Sequence, residues 1–329
     1  MKRFLIGAAI AAVFAVPALA AEPAVIFDMG GKFDKSFNEA AFNGAEKFKA
    51  DKGVEYKEYE VTNESQREQA LRNFARKGYS PIVVMGFAQA SALEVVAKEF
   101  PDTKFAIVDM VVDLPNVKSI VFNEHEGSYL VGILAAMASK TGKVGFVGGM
   151  DIPLISKFAC GYVQGVKATK PDDEVFQNMT GTTPAAWNDP TKAGELAKSQ
   201  FDRGADVVYA AAGGSGLGVL QTAADQKKLS IGVDSNQNYL HPGSVLTSML
   251  KRVDVAVYNT FGEGVDNFKP GIQVLGLKED GVGWALDDNN KALITPEMQA
   301  AVDKAKAAII AGEIKVVDYT QNGNACPVK

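Results

Sequence analysis

Ala24-Val25-Ile26-Phe27-Asp28-Met29-Gly30-Gly31-Lys32-Phe33-Asp34-Lys35-Ser36-Phe37-Asn38 takes a short apolar run straight into an acid, a glycine pair, and then an aromatic residue beside an amide. The run reads as a buried strand, and residues 28–38 read as the rim of a crevice. In an open parallel sheet, ligands collect beyond the carboxyl ends of the strands, where the next helix aims its N-terminus at the opening. Asp28 stands at such an end. Gly30 and Gly31 permit positive φ or close ligand approach, Ser36 or Asp34 can cap a helix beginning near Asn38, and Phe37 offers a flat apolar face. The set suits a ligand that is flat and polar-edged.

Outward from this stretch, strand-like runs alternate with helical patterns. Ala24 to Phe27, Glu55 to Val61, Pro81 to Met85, Lys104 to Val108 and Ser119 to Phe122 are separated by apolar spacing near 3.6 residues at Asn38 to Lys52, Ser65 to Lys77, Ala88 to Phe100 and Glu126 to Ser139. A second series runs through Lys143 to Val147, Glu174 to Met179, Asp206 to Ala210, Ser230 to Val233 and Ser244 to Met249, with helices near Lys157 to Ala168, Pro190 to Phe201 and Gly216 to Gln226. Repeated βα units predict α/β architecture: two Rossmann-like three-layer lobes, each a mostly parallel sheet with helices on both faces. The remaining elements, a helix from Asp254 to Phe268, strands near Gln273 to Leu277 and Gly283 to Leu286, and a helix from Thr295 to Ala311, need partners in both lobes. Three crossings then form a hinge. The expected division is 21–122 plus 253–278 for the N-terminal lobe and 123–252 plus 279–329 for the C-terminal lobe.

Residues 1–20 read as a secretory signal peptide: Lys2 and Arg3, an apolar run from Phe4 to Val16, and Pro17-Ala18-Leu19-Ala20 before Ala21-Glu22, with cleavage expected after Ala20. That run is short of the about 20 residues that span a membrane. With no cysteine near the cleavage site, the expectation is a periplasmic protein with no direct membrane anchor. Two of the 34 Lys/Arg lie in the leader, which leaves 32 against 39 Asp/Glu and a formal charge of −7. Both signs are interspersed along the expected helices, so no basic face exists for nucleic acid. Cys160 and Cys326 are the two cysteines, and with two distant histidines they supply no recognisable zinc site. They either form a disulfide that ties the C-terminal tail to the second lobe, or leave a buried free thiol at Cys160 beside Phe158, Ala159 and Tyr162.

Acids recur at strand ends: Asp28, Asp109 after Ala106-Ile107-Val108, and Asp234 after Ile231-Gly232-Val233. Each could cap the next helix, but together they point toward one rim. Carboxylates accept hydrogen bonds only, which suits a ligand with amino donors and adjacent hydroxyls. Asp234 is the candidate for a vicinal diol, and Lys251, near the second crossing, could pair with it. Gly213 lies in Ala212-Gly213-Gly214-Ser215-Gly216, a strand-to-helix turn whose backbone N–H groups can face a ligand. It lacks the dinucleotide glycine spacing, and no G-K-[ST] loop occurs, so no nucleotide cofactor or metal is implied. Trp187, in a polar loop before Pro190, either staples the following helix or stacks on a ring opposite Phe37. Trp284 reads as core, His125 as the decoration of a helix start, and His241 as part of a turn. Neither histidine has an evident nucleophile beside it, and there is no G-x-S-x-G elbow.

These residues resemble the basic membrane protein family of solute receptors, the purine-nucleoside-receptor-like branch of the periplasmic binding proteins that serve ABC importers. The carriers are Asp34-Lys35-Ser36-Phe37-Asn38, Glu126-Gly127-Ser128-Tyr129-Leu130-Val131-Gly132, Gly145-Phe146-Val147-Gly148-Gly149, Ala212-Gly213-Gly214-Ser215-Gly216, Gly232-Val233-Asp234-Ser235-Asn236-Gln237 and Ser248-Met249-Leu250-Lys251. The resemblance implies a type I two-lobed binding fold whose cleft holds a purine nucleoside, with an ABC permease as partner and no catalysis. By position it implies base-edge contacts at Asp28, Asn38 and Asp109, stacking at Phe37 and Trp187, and ribose contacts at Gly213, Asp234 and Lys251. Asn38 then suits an adenine-type edge, because an amide can both accept and donate. Trp187 stands where better-known members carry phenylalanine, and a free nucleobase such as adenine is the alternative ligand. The remaining alternatives are a secreted nucleoside hydrolase and a sensory surface module. A monomer is expected of a receptor whose lobes must move.

Overall fold

The computed structural model describes residues 21–328, so the expected leader at 1–20 lies outside the described residues. The first series comprises β1 (Ala24–Phe27), α1 (Phe37–Lys52), β2 (Lys57–Glu60), α2 (Gln66–Arg76), β3 (Ile82–Met85), α3 (Ala90–Glu99), β4 (Phe105–Val108) and β5 (Val117–Phe122). The second comprises α4 (Glu124–Ala138), β6 (Lys143–Met150), α5 (Pro153–Thr169), β7 (Glu174–Gly181), α6 (Pro190–Asp202), β8 (Val207–Ala211), α7 (Gly216–Asp225), β9 (Leu229–Asp234) and β10 (Val245–Lys251). The chain ends with α8 (Val253–Glu263), β11 (Gly271–Leu275), β12 (Val282–Trp284) and α9 (Pro296–Ile310).

Two six-stranded sheets result, ordered β11-β5-β4-β3-β1-β2 and β12-β10-β9-β8-β6-β7. All pairings are parallel except that of β12 with β10. The central strands β1, β3 and β4 are buried on both faces, which is why they read as continuous apolar runs rather than alternating ones. The edge strand β2 is Lys-Glu-Tyr-Glu with each side chain exposed, and its charges oppose edge-to-edge pairing. In each sheet the order reverses once, between β1 and β3 and between β6 and β8, which sets the two switch points where ligands collect.

The chain passes between the sheets three times. It leaves β5 for α4, which packs on α5 and α9; it returns from β10 to α8, which packs on α1; and it crosses last from β11 to β12. The helix expected to reach Phe268 stops at Glu263, because Gly264 takes a left-handed φ of 59°. The helix expected from Lys157 begins earlier, at Pro153, a residue suited to the first helical position. This extension matters, since it carries Ile155 toward the cleft. Trp284 is half-buried against the core. His125 does not decorate a surface: it is buried where α4 meets α5, and burial, then the Lys157 ammonium, lower its pKa to about 4. Cys160 and Cys326 form a disulfide that fastens the C-terminal tail onto α5.

Helices α4 and α5 approach so closely that a Cβ at Gly132, Gly161 or Gly165 would collide with the backbone of the facing helix. Gly165 faces the Tyr129 carbonyl. Gly165→Ala should therefore lower stability by about 1–3 kcal/mol as the helices are forced apart. Urea unfolding measures this, and an unchanged midpoint would contradict the packing described.

Candidate functional site

Between the facing carboxyl ends of the two sheets lies a cavity of about 80 Å³, open to solvent at its mouth. Asp28, Phe37 and Asn38 line it from the first sheet, with Gly86 and Phe87 after β3. Trp187, Gly213 and Asp234 line it from the second, with Ile155 and Phe158 of α5, and Lys251 completes the wall at the second crossing.

The turn after β1 is built by Asp34, which caps α1. Its carboxylate accepts the backbone N–H groups of Ser36 (2.8 Å), Asn38 (3.0 Å) and Glu39 (3.1 Å). Burial nevertheless raises the Asp34 pKa to about 7. With Asp34 capping the helix, the Ser36 hydroxyl is free to donate to the Asp234 carboxylate of the other lobe. Two more bonds cross the cleft here, Ser235 Oγ to the Ser36 carbonyl and Gln237 Nε2 to the Lys35 carbonyl, each at 3.0 Å. The two lobes are thus clasped.

Asn38 uses its amide to fix this turn. Its Oδ1 accepts the Asp28 N–H at 3.3 Å, and its Nδ2 donates to the carbonyls of Asp28 (3.1 Å) and Gly31 (3.2 Å). The Asp28 carboxylate meets Arg67 Nη2 at 3.2 Å. Burial raises the Asp28 pKa, and Arg67 opposes the rise. Arg67 escapes a search for strand-end motifs, but it sits with Ala70 and Leu71 on the buried stripe of α2. An arginine on an apolar stripe signals a buried anion.

Lys251 pairs not with Asp234, as the sequence suggested, but with Asp109 Oδ2 at 2.6 Å and Glu124 Oε1 at 3.1 Å. The rings of Phe37, Phe122 and Phe158 surround its ammonium with centroids 5.1–5.5 Å away. Burial pulls the Lys251 pKa down, but Asp109, Glu124 and Asp234 outweigh it and hold the amine above its ordinary value. Asp109 stands behind Lys251 and is not among the residues that line the cavity. Burial raises its pKa to about 6 against the pull of Lys251. Lys157 continues the chain of charges, 2.9 Å from Glu124 Oε2 and 3.4 Å from Asp318 Oδ2.

Trp187 ends a short turn, Pro184–Trp187, after β7. Ser215 Oγ donates to the Ala186 carbonyl (2.8 Å) and accepts the Asp189 N–H (2.6 Å), so the turn is anchored on both sides of the tryptophan. The indole lies against Gly149, where a Cβ would collide with it, and near Gly213. Phe158, which by sequence reads as helix core, also faces the cavity. Among the described residues no group of three His, Cys, Asp or Glu is placed to hold a metal, and no helix is long and apolar enough to cross a membrane.

Two α/β lobes of mostly parallel strands, three crossings and a cavity at the facing strand ends define the fold of the type I periplasmic binding proteins. The family model described as ABC transporter substrate-binding protein PnrA-like matches residues 21–320, and the chain belongs to this Bmp family. It is 35% identical to the ABC transporter nucleoside-binding protein BmpA of Lactococcus lactis, over 89% of this chain and 88% of that protein. It is 38% identical to an uncharacterized lipoprotein of Pyrococcus furiosus, over 80% of this chain and 70% of that protein. The crystal structure of an ABC transporter solute-binding protein from Aeropyrum pernix K1 superposes with a TM-score of 0.82 at 30% identity, covering 92% of this chain and 98% of that one.

Removing the Lys251 charge leaves the buried Asp109 carboxylate without its cation and Glu124 with Lys157 alone, and breaking a buried pair in this way costs about 3–5 kcal/mol. Lys251→Met should destabilise the protein by that order in chemical denaturation, and adding Asp109→Asn should recover part of the loss. Equal or greater destabilisation of the double variant would show that the pair is not coupled.

Proposed function

We propose that the chain is a receptor that closes around a purine nucleoside and delivers it to an ABC import permease. The observation that carries this reading is the make-up of the cavity: flat rings at Phe37, Trp187 and Phe158, acceptors at Asp28 and Asn38, and Asp234 with Lys251 at the far end. Phe37 and Trp187 would stack on the base, at roughly 1–3 kcal/mol per face. Asp28 and Asn38 would meet the base edge, and Gly213, Asp234 and Lys251 the ribose. Asp109 then acts through Lys251 rather than on the base. Three carboxylates against one ammonium at the wall disfavour nucleotides, whose phosphates would add charge of the same sign. The name of the Lactococcus relative agrees with a nucleoside. Export through the leader at 1–20, with cleavage after Ala20, would release the receptor as a periplasmic monomer.

A free nucleobase such as adenine is the second reading, favoured by the indole of Trp187 lying near Gly213 on the sugar side. Calorimetry separates the two. Asp234→Ala should weaken nucleoside binding by about 10- to 100-fold through loss of charge-assisted hydrogen bonds, and leave nucleobase binding unchanged. Equal loss for both contradicts the ribose assignment, and release of free base from the nucleoside during the titration contradicts a non-catalytic receptor.

A further inference from the structure

Lys157, Cys160 and Gln164 stand on α5 at the spacing that puts them on one face of a helix. That face meets the C-terminal tail, and each side chain fastens it differently. Cys160 is bonded to Cys326, Gln164 donates to the Val317 carbonyl (2.9 Å) and accepts the Val317 N–H (2.8 Å), and Lys157 meets Asp318 Oδ2 at 3.4 Å. The same helix sends Ile155 and Phe158 to the cavity. One element thus carries the tail and a wall of the binding site.

Lys157 reaches further than the tail. Its ammonium donates to the Phe122 carbonyl at 2.7 Å and lies 2.9 Å from Glu124 Oε2, while Glu124 Oε1 lies 3.1 Å from Lys251 Nζ. Phe122 ends β5 of the first lobe and α5 belongs to the second, so this ammonium spans the first crossing. Lys157, Glu124 and Lys251 are all buried, where each charge depends on the partners it keeps. Asp318 is the partner that the tail supplies, and a turn of the tail aims it: Asp318 Oδ1 accepts the Thr320 N–H (2.8 Å) and hydroxyl (2.7 Å). His125 Nδ1, 4.0 Å from Asp318 Oδ2, is too far to take the place of the lysine.

The disulfide is the attachment that chemistry can release. Cys160 is 2% exposed and Cys326 is half-buried, so the thiolate of an incoming dithiol meets Cys326 Sγ. The S–S bond breaks with its electron pair on Cys160 Sγ, to which Gln164 Nε2 donates at 3.3 Å, and a donor at the leaving sulfur favours its departure. The second thiolate of the dithiol then displaces Cys326. The dithiol ends as a disulfide, and the protein, having gained two electrons and two protons, ends with two thiols.

We propose that the C-terminal tail is a strap on the hinge that a dithiol releases, with Asp318 the positioning residue of Lys157, and Lys157 that of Glu124 and Lys251. Its consequence for binding rests on the receptor reading: with the strap free, Lys251 loses its fixed place at the cavity wall and ligand leaves faster.

The test compares the full chain with Cys326→Ser, which frees the tail without a reductant, and with Asp318→Asn, which keeps the disulfide and removes the charge. Hydrogen–deuterium exchange, which needs no ligand, should rise at 119–126 and 248–253 in both variants and in dithiothreitol-treated protein. Cys326→Ser placed on Asp318→Asn should add little, because both act through one contact. Dissociation of inosine and adenosine, followed by stopped-flow fluorescence of Trp187 at the cavity, should speed up by about 2- to 30-fold, the scale of mutations along such a network. A lower thermal midpoint with unchanged exchange at both segments makes the disulfide a structural staple and overturns the proposal. Unchanged dissociation where exchange rises, or additive effects of the two substitutions, overturns it too. Raised exchange with binding of neither nucleoside contradicts the nucleoside reading and leaves the strap standing.

Discussion

The ammonium of Lys251, buried between Asp109 and Glu124, is the interaction on which the two-lobed arrangement turns. Asp109 follows β4 of the first lobe, Glu124 opens α4 at the first crossing, and Lys251 closes β10 at the second. One cation therefore joins two of the three hinge segments to the first sheet. Burying such groups is costly, and the cost is offset only where each charge keeps its partners. Here Lys157 serves the other oxygen of Glu124 and reaches Asp318 in the C-terminal tail. That tail is held in turn by the Cys160–Cys326 disulfide and by Gln164, which donates to and accepts from the Val317 backbone. The charge network is continuous from the tail to the wall of the cavity.

The two lobes repeat one strand order, and the repeat explains the two unusual aspartates. β4 and β9 occupy the same place in their sheets, and Asp109 and Asp234, which follow β4 and end β9, both take left-handed backbone angles, φ 71° and 62°. Such conformations are strained for residues other than glycine and persist where the surroundings fix them. The two copies have diverged in use. Asp109 holds Lys251 from behind, whereas Asp234 lines the cavity and meets Ser36 across the cleft. The wall of the cavity and the hinge segments are thereby joined through one lysine.

Much of this is legible in the sequence because it obeys local rules. Apolar runs with helical spacing between them mark the strand and helix series, and acids or glycines at strand ends mark the rim where Asp28, Gly213 and Asp234 stand. The features that escape such reading depend on distant partners. Glu124 looks like an ordinary surface residue until the fold brings it to Lys251, and Arg67, though it shares the apolar stripe of α2, does not reveal by its spacing that its partner is Asp28. Phe158 shares a helix with true core residues, and only the start of α5 at Pro153 and the position of that helix decide which of its faces meets the cleft. Asn38 stands out by its type and place, but the commitment of its hydrogens to two carbonyls is a property of the closed turn. His125 misleads because a helix N-terminus is usually exposed, whereas here α5 packs over it.

The most direct test of the central claim is to let the protein choose. Purified chain, incubated with an equimolar mixture of nucleosides, nucleobases, sugars and amino acids and then gel-filtered, should release on denaturation a purine nucleoside detectable by mass spectrometry in near-stoichiometric amount. Release of a sugar or an amino acid with no purine would contradict the account.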